Sequence, residues 1–209
     1  MASPVPPPPD RPLSLLGGTT PREFMRRHWQ RKPLVVREAI AGITAPLSRR
    51  ELFALAARDD VESRLVRNTG RAWSLAHGPL PRSSLPPLRQ RAWTVLVQGV
   101  DLHHDAAHAL LAQFRFVPDA RLDDLMISWA TDGGGVGPHV DSYDVFLLQA
   151  SGTRRWRIAR RFDAALDERA PLKVLRRFEP EQECVLGPAT FYICRRAGHT
   201  RVSPSAATA

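Results

Sequence analysis

The spacing of apolar positions along the chain is helical at first and strand-like afterwards. Residues 4–12 carry prolines without apolar periodicity, the pattern of an extended lead (1–12). Thr20-Pro21-Arg22-Glu23 sets a capping hydroxyl, a proline at the first helical position and an acid three residues on, which predicts a helix over 21–30. Lys32-Pro33 stops it, and Leu34-Val35-Val36 reads as a short buried strand. Ser48-Arg49-Arg50-Glu51 repeats the capping box and opens a helix through Ala57.

The period then shortens to two. Strands are predicted over 63–67, 71–75 and 93–98, all rich in β-branched or bulky residues. A helix over 103–114 follows, with Ala107, Leu110, Leu111 and Phe114 at helical spacing. Beyond it, 125–129, 144–149, 155–158 and 183–186 are strand-like and separated by Gly- or Pro-bearing turns. Helices followed by a run of short strands predict an α+β fold: N-terminal helices on a double-stranded β-helix (cupin or jelly-roll) core. A chain of 209 residues suits one such domain, here 13–209.

Charge changes this picture little. The net charge is +9, yet of 30 basic residues only Lys32 and Lys173 are lysine, and the arginines are scattered. Arginine-rich, lysine-poor usage follows from a GC-rich genome, so contact with nucleic acid is possible but unsupported. The apolar runs are far too short to span a bilayer, so no membrane partner is expected. The N-terminus has neither a basic start nor an apolar core of a signal peptide, which points to a cytoplasmic protein. Two cysteines, Cys184 and Cys194, make no disulfide framework.

The segment that carries chemistry is Asp132-Gly-Gly-Gly-Val-Gly-Pro138-His139-Val140-Asp141-Ser142-Tyr143-Asp144. On a strand, His139 and Asp141 point to one face, where an imidazole nitrogen and a carboxylate oxygen can take adjacent positions on a metal. Two histidines and a carboxylate form the facial triad of non-haem Fe(II) oxygenases. Spacing alone equally allows a surface His–Asp pair after a glycine loop. Further on, Arg154, Trp156 and Ile158 share the apolar face of a strand, with Arg155 and Arg157 opposite. A buried guanidinium needs an anion: a dicarboxylate co-substrate, or an internal Asp or Glu.

Leu125-Met-Ile-Ser128-Trp-Ala130, the Gly-Gly-Val-Gly-Pro-His139-Val-Asp141 run through Gln149, and Gly152-Thr-Arg154-Arg-Trp156-Arg together resemble the JmjC-type bacterial ribosomal oxygenases of the cupin superfamily. The likeness also takes in the entry, 12–34, and reaches about Gly187. It implies an Fe(II)- and 2-oxoglutarate-dependent dioxygenase that uses O2 to hydroxylate an arginine of a large-subunit ribosomal protein. It further implies His139 and Asp141 as catalytic iron ligands, Arg154 on the distal carboxylate of 2-oxoglutarate, and Ser128 in the same pocket.

The family's third ligand is a histidine in a stretch resembling Gly-Asp-x-Leu-Tyr-x-Pro-Pro-x-x-x-His. Here the chain reads Gly187-Pro-Ala-Thr-Phe-Tyr-Ile-Cys194-Arg-Arg-Ala-Gly-His199-Thr200. Back-translating residues 189 onward in the neighbouring frame permits Gly-Asp-Ile-Leu-Tyr-Leu-Pro-Pro-Arg-Trp-Ala-His, so 189–209 reads as out of frame, with the domain incomplete at that end. His199 falls one residue early, which on a strand turns a side chain to the opposite face. On this reading the helical dimerisation region that the resemblance implies is expected to be missing. The alternative reading is a non-catalytic cupin remnant lacking the third ligand. A second histidine pair, His104 and His108 at i and i+4, has Asp105 where a zinc hydrolase needs Glu, and reads as a solvated helix start.

Overall fold

The structure is a computed structural model that describes residues 5–70, 72–159, 163–194 and 203–208. The two capping boxes act as their residues dictate. Helix α1 (Pro21–Arg27) starts where the Glu23 amide donates to Thr20 Oγ1. Helix α2 (Arg49–Ala56) has the reciprocal pair between Ser48 and Glu51. Strand β1 (Leu34–Val36) separates them; Val35 is exposed at 44%, so this strand is less buried than its composition predicts. It lies on a sheet edge, with one side chain turned outward.

Strands β2 (Ser63–Asn68), β3 (Trp73–His77) and β4 (Trp93–Val97) follow, then α3 (Asp105–Ala112) and β5 (Ile127–Ala130). The predicted third strand is shifted by two residues, and the predicted helix over 103–114 is shorter at both ends. His104 is extended and makes no capping bond, so the helix begins only at Asp105. Strands β6 (Val145–Gln149), β7 (Thr153–Ile158) and β8 (Gln182–Leu186) match their apolar runs. Two further strands, β9 (Thr190–Cys194) and β10 (Ser203–Thr208), lie where no strand was predicted. Phe191, Tyr192 and Ile193 are closed to solvent, and bulky residues in succession suit a strand covered on both faces.

Among the described residues all the strand pairings are antiparallel, in three sheets ordered β3-β2-β4-β5, β1-β9-β6 and β10-β7-β8. One face of the four-stranded sheet, with Leu65, Trp93, Val95 and Val97, packs on Leu52, Phe53, Leu55 and Ala56 of α2. Phe24 of α1 sits in an aromatic cluster with Phe116 and Phe146, whose stacking partner is Phe191. Trp156, Ile158 and Leu186 of one three-stranded sheet meet Val145, Leu147 and Tyr192 of the other. Two sheets closing face to face over that third cluster make the jelly-roll core of an α+β fold, as the pattern predicted. No helix among the described residues is long and apolar enough to cross a membrane.

Candidate functional site

The second face of the four-stranded sheet is the floor of the site. Directly paired residues of antiparallel strands share a face. The registers Arg64↔His77, Arg64↔Leu96 and Leu96↔Ser128 therefore make one row, on the side away from α2. Trp73, opposite Asn68, stands on that same side. The glycine loop after β5 is folded down onto it. A Cβ on Gly137, whose φ is +77°, would lie 2.9 Å from Trp73 Cζ2 and 3.0 Å from Val174 Cγ2. A side chain on Gly134 would collide with the Trp93 carbonyl oxygen. Only glycine admits both approaches.

This loop delivers His139 and Asp141. The strand geometry expected for them is not what brings them together: His139 makes an isolated bridge, and Asp141 follows outside any strand. The loop nevertheless holds His139 Nε2 3.5 Å from Asp141 Oδ1. The Gly137 carbonyl, 2.9 Å from His139 Nδ1, can only accept, so Nδ1 carries a proton and donates. In the neutral ring that leaves the Nε2 lone pair facing the carboxylate, the arrangement that orients a metal-ligating imidazole. Burial disfavours the imidazolium, but the Asp141 hydrogen bond and charge, with the Gly137 carbonyl, outweigh it and raise its pKa above the ordinary value. A cation therefore suits the space between these groups, a proton or a metal that displaces it.

Arg154 lies on β7 with Trp156, on the inward side, while Arg155 and Arg157 turn outward to Glu183 at 3.3 and 3.0 Å. Arg154 Nη1 donates to Ser128 Oγ at 3.0 Å, bridging from one sheet to the floor of another. Its Nε is shut off from water without a hydrogen-bond partner, and among the described residues no carboxylate lies within ion-pair distance. Burial lowers its pKa from the usual guanidinium value. Of the two anions that the sequence left open, an internal Asp or Glu does not appear among the described residues. The donor set fits the absent groups: a nitrogen and a carboxylate oxygen for a divalent metal, a guanidinium with a hydroxyl for a carboxylate.

His199, the expected third ligand, lies outside the described residues. Among the described residues, no group of three His, Cys, Asp or Glu could hold a metal ion. Sequence reasoning also passed over the rim. Tyr143, 58% exposed, has its hydroxyl pKa raised by partial burial and by the carboxylates of Asp141, Asp123 and Asp124, while Arg64 acts in the opposite sense. The pair Asp123-Asp124, set immediately before an apolar strand, was the available signal. Asp144 is structural: its Oδ2 accepts from the Gln30 amide at 2.6 Å, tying the chain after α1 to the His–Asp loop.

The family model of the JmjC domain matches residues 109–209 of the chain, the half that holds the His-x-Asp loop and Arg154. In sequence and fold the chain is similar to ribosomal oxygenases. It is 45% identical over 136 residues to the ribosomal protein uL16 3-hydroxylase of Escherichia coli, a match covering 65% of this chain and 36% of that one. With a probable ribosomal oxygenase of Haemophilus influenzae it shares 34% over 190 residues, covering 88% and 46%. A crystal structure of E. coli YcfD superposes with a TM-score of 0.81 at 36% identity, covering 89% of this chain and 49% of that one. A structure of YcfD with cobalt and 2-oxoglutarate gives 0.72 at 33%, covering 90% and 51%. The chain thus spans about half the length of these relatives, or less.

Proposed function

We propose that this chain is the Fe(II)- and 2-oxoglutarate-binding part of a ribosomal-protein hydroxylase whose target is an arginine of a large-subunit protein. The observation that carries this reading is Arg154, a buried guanidinium bonded to Ser128 and lacking a carboxylate among the described residues. His139 Nε2 and Asp141 would hold the metal, with His199 as the third ligand, and Arg154 with Ser128 would hold the distal carboxylate of 2-oxoglutarate. When bound, these groups supply the oxidation: O2 and 2-oxoglutarate yield succinate, CO2 and one hydroxyl group on the target. The protein's own part is to fix the imidazole tautomer through Gly137, to neutralise the co-substrate and to wall off the pocket with the two sheets. The exposed Tyr143 ring, which feels the charges of Asp123 and Asp124, suits a cationic side chain. A ribosomal substrate also sets the reaction in the cytoplasm.

A second reading, a non-catalytic binding module, is favoured by one observation. The described residues bring together only two protein ligands. Succinate release from 2-oxoglutarate with added Fe(II) and an arginine-containing uL16 peptide separates the two. Turnover that disappears in His139→Ala establishes the oxygenase. Turnover only after the frame is restored beyond Pro188 identifies the missing third ligand as the defect, and 189–209 as out-of-frame sequence. Silence from both chains leaves the binding module.

A further inference from the structure

Asp144 closes the loop that carries His139 and Asp141. That loop leaves the glycine run at Pro138, whose carbonyl accepts from the Leu175 amide at 2.8 Å. It bends at Ser142 and Tyr143, both exposed, and enters β6 at Val145. Just before β6, Asp144 Oδ2 accepts from the Gln30 amide at 2.6 Å, across 114 positions of chain. A main-chain donor on a carboxylate at that distance makes a short, charge-assisted bond with a defined direction.

The donor side of this bond is itself fixed. Gln30 follows α1 with a φ of +54°, a left-handed conformation that a side chain disfavours. Such a conformation persists only where its surroundings hold it. Trp29, the residue before, packs on Phe146, two residues beyond Asp144, with ring centroids 6.0 Å apart. Phe24 of α1 lies 6.3 Å from the same ring, which stacks on Phe191 of β9. The turn after α1 therefore holds the entry to β6 at two points, one apolar and one polar. The apolar contact seats β6 in the core; the polar one reaches the loop. From Asp141 to Asp144 is three peptide links, a reach of about 10 Å when extended. Asp141 Oδ1 stands only 3.5 Å from His139 Nε2, so that slack has to be taken up. Asp144 is not a third ligand, since among the described residues no group of three such side chains could hold a metal.

We propose that Asp144 is a positioning residue for the metal site: by accepting from the Gln30 amide it sets the run 141–143 and so holds the Asp141 carboxylate against His139. This inference rests on the metal-binding reading above. Asp144 acts through Asp141, and α1 thereby becomes part of the support of a site built in the jelly-roll.

The test uses the full chain and Mn(II), with free metal counted by its EPR signal at a temperature where every variant is folded. Asp144→Ala is expected to weaken Mn(II) binding about tenfold or more, the effect of removing a group that orients a ligand. Asp144→Asn keeps an oxygen for the Gln30 amide and should retain most of the affinity. In metal-free protein, amide hydrogen exchange over 140–143 should quicken in Asp144→Ala, while exchange in α2 matches the parent. Asp144→Glu keeps the charge but displaces the oxygens by one methylene. It should weaken the metal as well, and it serves if the alanine variant does not fold. Parental Mn(II) affinity in the alanine or glutamate variant overturns the proposal and leaves the metal site standing. An equal loss in Asp144→Asn also overturns it, because the effect would then belong to charge and not to the hydrogen bond. A parent chain that binds no Mn(II) sinks the metal-binding reading and this inference together.

Discussion

At Gly137 three demands meet on one residue. Its φ of +77° disfavours any side chain, Trp73 and Val174 leave no room for a Cβ, and its carbonyl fixes the His139 tautomer. Gly137→Ala should therefore cost about 2 kcal/mol, combining left-handed strain with an overpacked contact. For a chain of this size that lowers the melting temperature by about 4–8 °C. Divalent-metal affinity should fall as well, because the imidazole loses its fixed orientation; a metal titration that matches the parent would contradict this account. The glycine run was plain in the sequence, but its reason was not. Trp73 lies far away along the chain, and only the register of β3 against β2 stands it under the loop.

The helices were legible at the level of elements because their signals are local. Thr20 with Glu23 and Ser48 with Glu51 satisfy backbone donors within three residues, and each helix starts there. Helix α3 was overextended because Phe114 keeps the helical spacing, whereas the amides of Gln113 and Phe114 bond back only three residues, to Leu110 and Leu111, and the helix ends at Ala112. The C-cap of α1, His28, supplies a test of how that helix is seated. Its ring stacks on Phe24 with centroids 6.0 Å apart, and Nδ1 is closed to water without a partner. Burial first, and then the Lys32 charge, lower its pKa from the ordinary histidine value. A depressed folded pKa contributes stability above the unfolded value, near pH 6.5, and that stability is lost as pH falls through the folded one. Melting temperature should thus drop more between pH 7 and 5 in the parent than in His28→Phe, which keeps the ring but cannot titrate. Equal slopes would show that this histidine is not coupled to folding.

For the molecule as a whole, Arg154 couples co-substrate to stability. Ligand bound only by the folded state stabilises it by mass action, about 2.7 kcal/mol at one hundred times Kd. With Mn(II) present, saturating 2-oxoglutarate should raise the melting temperature by about 5–10 °C. Arg154→Ala should lose most of that shift while keeping the shift caused by the metal alone. Equal responses to 2-oxoglutarate in both proteins would remove Arg154 from the co-substrate site.

The sequence by itself determined the α+β class, most strands, both capped helices and the residue types of the site, because periodicity, capping and motif spacing act over a few residues. The tertiary structure decided which of those residues meet. His139 and Asp141 come together through a loop pressed onto Trp73, not through the alternation of a strand. Arg154 finds Ser128 across two different sheets, a contact between strands separated by the whole loop and β6. Arg64 is one of 30 basic residues in the sequence. Only strand register turns it to the face away from α2, since a face is chosen by pairing and burial across the sheet.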